Sequence, residues 1–262
     1  VWVRKEYLRD LKDGHGEFVK GVWVTAKSMA GRAFYFETYL PEYGALFDKL
    51  PISAFVSEPK KPKSPEIMGL YLGGSFELDN LKLSLLEPEL TIEGAARSQL
   101  IQAVGEAPLD TGGTLLRFYT DDDGFLQVVT DGGLSENHIT DVKLWHFYET
   151  KTIGNTAQWN ECLKNVISQP TYELDGKVYT RVWGAVGDES PPVAVTETTY
   201  EEDGDVSTTD QFMMLYERPI SNDRVETLLV VGEEKQVGNN LDRCLVISTG
   251  FDVEPADITI NG

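Results

Sequence analysis

Three consecutive aspartates followed by glycine, within Arg117-Phe-Tyr-Thr-Asp-Asp-Asp-Gly-Phe-Leu-Gln-Val-Val-Thr130, are the residues here best suited to hold a cation. Carboxylate oxygens are hard ligands for divalent ions. Adjacent carboxylates also repel one another, so a tip this acidic gains from a cation or from a basic partner. The spacing is not that of an EF-hand. With Gly124 at position six of the loop, Tyr119 falls at position one and Thr130 at position twelve. An acidic ligand and a bidentate glutamate belong there. The flanks, residues 115–120 and 125–130, are strand-like. A solvated hairpin turn is therefore the expectation, since aspartate tolerates turn dihedrals and glycine supplies positive φ. A divalent-cation site at Asp121, Asp122 and Asp123, completed by Asp131 or Asp141, is the alternative.

Other candidate chemistry is thinner. Asp110-Thr-Gly-Gly-Thr114 lacks the lysine of a phosphate loop and precedes a strand pattern rather than a helix, which makes it a glycine turn. No G-x-S-x-G or H-E-x-x-H pattern occurs in the chain. Of the three histidines, His146 lies among Trp145, Phe147 and Tyr148. Spacing alone permits a Cys162–His146 pair oriented by Asp141, although a strand histidine among aromatics more often packs than reacts. Cys162 and Cys244 have neither zinc spacing nor the pattern of a disulfide framework. Buried thiols in a reducing cytoplasmic setting are expected.

The elements that position these residues read as mainly β (α+β). Residues 1–56 form short aromatic-rich strand patterns, expected as a small β-barrel-like module. Residues 57–66, with three prolines and three lysines, form a semi-rigid linker. Residues 67–262 are expected as an acidic antiparallel β domain with a helix near 156–168. There Trp159, Leu163, Val166 and Ile167 share one helical stripe behind a cap at Asn155 or Thr156. Asp175-Gly176 marks a two-residue hairpin turn. Residues 76–79 and 81–86 read as strand-like segments flanking a turn, and strands are expected over 193–200, 211–217, 227–231 and 244–248.

Charge is the strongest compositional fact. The chain carries −20 overall; residues 1–63 hold 11 Lys+Arg against 8 Asp+Glu, and residues 64–262 hold 12 against 35. Such a surface repels phosphate backbones and anionic lipid, so neither nucleic acid nor a membrane surface is expected as a partner. No apolar run approaches the ~18 residues of a spanning helix, so no direct membrane insertion is expected.

The run from Met68 to Ile260 resembles the YjfK-like family of uncharacterised bacterial proteins. The matching residues include Gly69-Leu-Tyr-Leu-Gly-Gly-Ser-Phe-Glu-Leu-Asp79, Leu109-Asp-Thr-Gly-Gly113, residues 117–128, Pro170-Thr-Tyr-Glu-Leu-Asp-Gly176 and Leu228-Leu-Val-Val-Gly-Glu-Glu234. The resemblance implies no activity, cofactor or catalytic residue. Members of that family are often encoded near a membrane-remodelling protein, which implies a cytoplasmic factor linked to envelope stress. Residues 31–55 resemble a stretch of small marine bacteriophage proteins of unknown role, which implies a virion location instead.

These readings converge on a non-catalytic interaction or structural protein without a cofactor. A basic protein partner would be steered by Asp121, Asp123, Glu201, Glu202 and Asp203 and anchored by Tyr35, Tyr39 and Tyr43. The sequence is compatible with an oligomer. The alternative from another class is a divalent-cation-binding protein or metal-dependent hydrolase.

Overall fold

The computed structural model describes residues 63–92, 94–184, 190–221, 223–238 and 240–261. The expected β module at 1–56, with Tyr35, Tyr39 and Tyr43, and most of the 57–66 linker lie outside the described residues.

In chain order the elements are β1 (Ser75–Leu78), α1 (Asn80–Leu86), β2 (Ser98–Pro108), β3 (Gly113–Thr120), β4 (Gly124–Asp131), β5 (Ile139–Thr152) and α2 (Thr156–Glu161). They continue with β6 (Thr171–Leu174), β7 (Lys177–Arg181), β8 (Val193–Glu201), β9 (Val206–Pro219), β10 (Val225–Val237), β11 (Asn240–Asp252) and β12 (Ile258–Asn261). The fold is dominated by antiparallel strands, as the alternating patterns predict.

Pairing runs β2–β3–β4–β5–β11–β10–β9–β8, and β8 returns to β2 with Gly105 opposite Thr199. Eight antiparallel strands thus close into a barrel, a step that the sequence reading does not reach. Closure removes the free edges of the cylinder. Short β1 and β12 extend from β2, and the β6–β7 hairpin extends from β9.

Side chains alternate between lumen and exterior along each strand. On β3, Leu115, Arg117 and Tyr119 face inward while Leu116 and Phe118 join an outer apolar cluster with Phe76, Leu83, Leu126 and Val142. That cluster is covered by α1 and its flanks. A second outer cluster, with Ile167, Tyr179, Met214, Tyr216, Leu228 and Val230, lies under the α2 region and the β6–β7 hairpin. Gly232 admits this cover: a β-carbon there would sit 3.0 Å from Trp159.

Local chemistry explains the elements. The aspartate tip is a hairpin, with Asp123 at φ 48° joining β3 to β4. Asp175 and Gly176 both have positive φ, the geometry of a primed turn. Asn155 caps α2 by accepting from the Gln158 amide at 2.9 Å, and the helix widens into a π turn over Cys162–Val166.

The strand-like reading of residues 81–86 is corrected. They belong to helix α1, because the Asp79 carboxylate accepts the Leu81 and Lys82 amides at 2.9 and 3.1 Å. Leu83 and Leu86, one turn apart, are buried, while Leu81 and Leu85 stay about 70% exposed. Among the described residues no helix is long and apolar enough to cross a membrane.

Candidate functional site

The registers place the expected acidic residues on one rim. The β3–β4 turn carries Asp121, Asp122 and Asp123, and the β8–β9 turn carries Glu201, Glu202 and Asp203. Both turns stand at the same end of the barrel, because β2 opposes β3 and β8 alike in antiparallel register. We call this the upper end.

The three aspartates do not converge. An Asp121 oxygen accepts the Leu100 amide at 2.8 Å, and an Asp122 oxygen accepts the Ala96 amide at 2.7 Å. Among the described residues no group of three or more His, Cys, Asp or Glu side chains is placed to hold a metal ion. On β8–β9, Glu201, Glu202 and Asp203 are exposed, and Asp203 accepts the Asp205 amide at 2.9 Å.

Below the rim the lumen narrows onto a buried charged layer. Arg117, 2% exposed, donates through one terminal nitrogen to Glu197 at 2.5 Å and to Gln211 at 2.6 Å. Its Nε donates to Gln127 Oε1 at 3.3 Å, and its guanidinium lies 5.2 Å from the Phe125 ring centre. The other Glu197 oxygen accepts the Tyr119 hydroxyl at 2.6 Å. Burial alone would lower the guanidinium pKa, but Glu197 opposes it and the net shift is upward, so Arg117 stays charged. Burial, then Glu197, pushes the Tyr119 hydroxyl well above its ordinary value.

Backbone spacing makes this pair possible. Gly105 on β2 lies between Arg117 on β3 and Thr199 on β8. A β-carbon at Gly105 would stand 2.1 Å from the Glu197 carboxylate. Glycine lets the glutamate reach across the strand to the arginine.

Above the layer, Tyr119, Phe147, Glu197, Gln211, Glu233 and Cys244 line an open recess of about 370 Å³. Tyr119 and Phe147 are stacked with centroids 6.4 Å apart. Among the described residues Glu233, half-buried, receives only Gln211 at 3.2 Å and the Cys244 thiol at 3.7 Å. Its carboxyl pKa is raised, chiefly by burial, with Arg117 pulling it down and Glu197 pushing it up. Two carboxylates therefore flank one guanidinium in this layer.

Of the residues of the thiol reading, Asp141 is separated from Cys162 by the barrel wall. Cys162 packs with Ile167 and Met214 outside the barrel, whereas Asp141 lines the lumen. Burial pushes Cys162 up to about 11, and burial with Glu233 pushes Cys244 to about 12. A thiol so rarely ionised is a poor nucleophile. Iodoacetamide at neutral pH is therefore expected to leave both cysteines of the folded protein unmodified for hours. Mass spectrometry showing prompt labelling of Cys162 would contradict this burial.

Sequence reasoning singles out the rim and misses Arg117, Glu197, Gln211, Glu233 and Trp145. The available signal was parity: Arg117 and Tyr119 share a face with Leu115, and Glu197 shares one with Val195 and Thr199. Without knowledge of closure, that face has no assigned direction.

Residues 54–259 match the model of a family described as "Protein of unknown function (DUF2491)". The chain is also similar to "Uncharacterized protein YjfK" of Escherichia coli (strain K12), with 31% identity over 172 residues, 64% of this chain and 77% of that protein. No solved structure matches the chain.

Proposed function

Given that this chain belongs to the DUF2491 family of proteins of unknown function, we propose that it is a non-catalytic binding protein. Its partner is a basic protein segment that docks at the upper end of the barrel. The reading is carried by Glu233, a half-buried carboxylate that no arginine or lysine among the described residues bonds, beneath a rim bearing Asp121–Asp123 and Glu201–Asp203. Rim charges steer an approaching cationic surface, and one lysine or arginine side chain enters the recess. There it meets Glu233 and the faces of Tyr119 and Phe147.

A cation held at Glu233 favours the ionised carboxylate and reverses the upward shift caused by burial. Binding then releases protons and tightens as pH rises from the ordinary carboxylate range. Protein repulsion of phosphate backbones by the same rim agrees with a partner that is protein.

Association with a decalysine peptide tests the proposal. The on-rate is expected to fall steeply between low and physiological salt. Replacing Glu201, Glu202 and Asp203 by their amides is expected to flatten that dependence, whereas Glu233→Gln raises the off-rate. An on-rate indifferent to ionic strength would sink the reading.

A further inference from the structure

Beneath the charged layer the barrel contains a second chamber of about 430 Å³, opening at the end opposite the acidic rim. Its wall is mainly apolar, with Leu115, Val195, Leu215 and Leu229 from four strands, and Trp183 also lines it. Its polar lining includes Asp110, Thr111 and the Lys143–Asp141 ion pair, and at its inner end Arg117, Gln127 and Trp145 present donors.

Trp145 is 1% exposed, and its indole Nε1 has no hydrogen-bond partner among the described residues. Burying an unpaired N–H costs about 1–3 kcal/mol, so the vacancy needs a reason. The Cε3 edge of the ring lies against Gly250, where a β-carbon would come within 2.6 Å. That contact leaves the opposite edge, which carries Nε1, away from β11, and the residue lines the chamber. Gln127, 7% exposed, gives its Oε1 to Arg117, and its amide nitrogen has no partner among the described residues. The second terminal nitrogen of Arg117 faces only the Met213 thioether, at 3.1 Å; thioether sulfur is a weak acceptor.

We propose that this chamber binds a small apolar molecule whose head is a neutral carbonyl oxygen, accepting hydrogen bonds from Trp145 and its neighbours Gln127 and Arg117. A buried indole N–H without an acceptor, beside a guanidinium nitrogen that faces only a thioether, calls for an oxygen that brings no proton of its own. The head is neutral because Glu197 already compensates Arg117. A carboxylate head would place a further negative charge beside Glu197 and Glu233. The apolar body is set by the chamber wall, where burial stabilises a ligand by about 25 cal/mol per Å². Eight-stranded barrels have an interior of the size that holds one small ligand. The proposal is independent of the upper rim, since the two chambers lie on opposite sides of the Arg117 layer.

The experiment uses the full chain and three probes of similar length: 2-nonanone, nonanoate and nonane. Binding is read by calorimetry and by the indole N–H resonance of Trp145, assigned through Trp145→Phe. The ketone is expected to bind best and to move that resonance downfield. Trp145→Phe should weaken ketone binding roughly tenfold, the equivalent of one hydrogen bond, while leaving nonane unaffected. Val195→Phe, which fills the chamber from its wall, should abolish binding of all three and keep the native fold by circular dichroism. Failure of the ketone to bind, or ketone affinity unchanged in Trp145→Phe, overturns the site. Tighter binding of nonanoate than of the ketone overturns the neutral head.

Discussion

Replacing Glu197 with alanine is expected to destabilise the protein by about 3–5 kcal/mol, because it strands the Arg117 guanidinium in the barrel without its counter-charge. For a domain of this size that corresponds to a fall in melting temperature on the order of 10 °C. Both side chains are nearly inaccessible, at 3% and 1% exposure, so solvent does not screen the pair. The loss also frees the Tyr119 hydroxyl and leaves Gln211 as the strongest remaining acceptor for Arg117. Removing both charges together, as Arg117→Met with Glu197→Leu, is expected to recover most of the stability. A buried pair replaced by well-packed apolar groups is often neutral or better. Chemical denaturation of the two single variants and the double variant measures the coupling. A single variant costing less than about 1 kcal/mol would show that water reaches the pair.

A comparable loss, about 3–5 kcal/mol, is expected from Glu226→Ala on the outer face. Glu226 is fully buried and accepts from the Thr91 amide at 2.5 Å, the Tyr179 hydroxyl at 2.7 Å and Arg218 at 2.6 Å. Arg218 continues to the Glu89 carbonyl at 2.6 Å, and Lys177 to the Leu90 carbonyl at 3.2 Å. One carboxylate thus ties the segment after α1 to β7, β9 and β10. Its loss should act locally as well as globally. Hydrogen exchange at the Thr91 amide is expected to accelerate more than exchange within β10. Uniform acceleration across the barrel would assign the residue a purely global role. The bonds of this network to three strands and to the segment after α1 mark it as a stitch between layers.

What the sequence disclosed depended on how local the governing interaction was. The Asp175-Gly176 turn, the Asn155 cap and the aspartate hairpin are each decided within a few residues, and each was readable. Helix α1 was misread because Leu81, Leu83 and Leu85 mimic a two-residue period; the Asp79 cap, rather than that alternation, decides the conformation. The barrel's inner layer was hidden for another reason. Strand β3 is buried on both faces, with Leu116 and Phe118 outside and Leu115 and Arg117 inside. Its alternation therefore carries no contrast between water and core. Nothing local marks Arg117 as buried, because its partner Glu197 lies 80 residues further on. The acidic rim was readable as composition, but its gathering at one end required the strand registers.

The closing seam also has a temporal consequence. The β2–β8 and β5–β11 pairings join segments roughly a hundred residues apart in the chain. Loop entropy must be surrendered before these ladders repay it, so the cylinder is expected to shut late and slowly, on the millisecond-to-second scale of non-local β topologies. Until it shuts, the strands at the seam expose unpaired amides and carbonyls to other nascent chains. Dense negative charge keeps like molecules apart during that interval. The acidity of this chain thus protects its open intermediates as well as its finished surface.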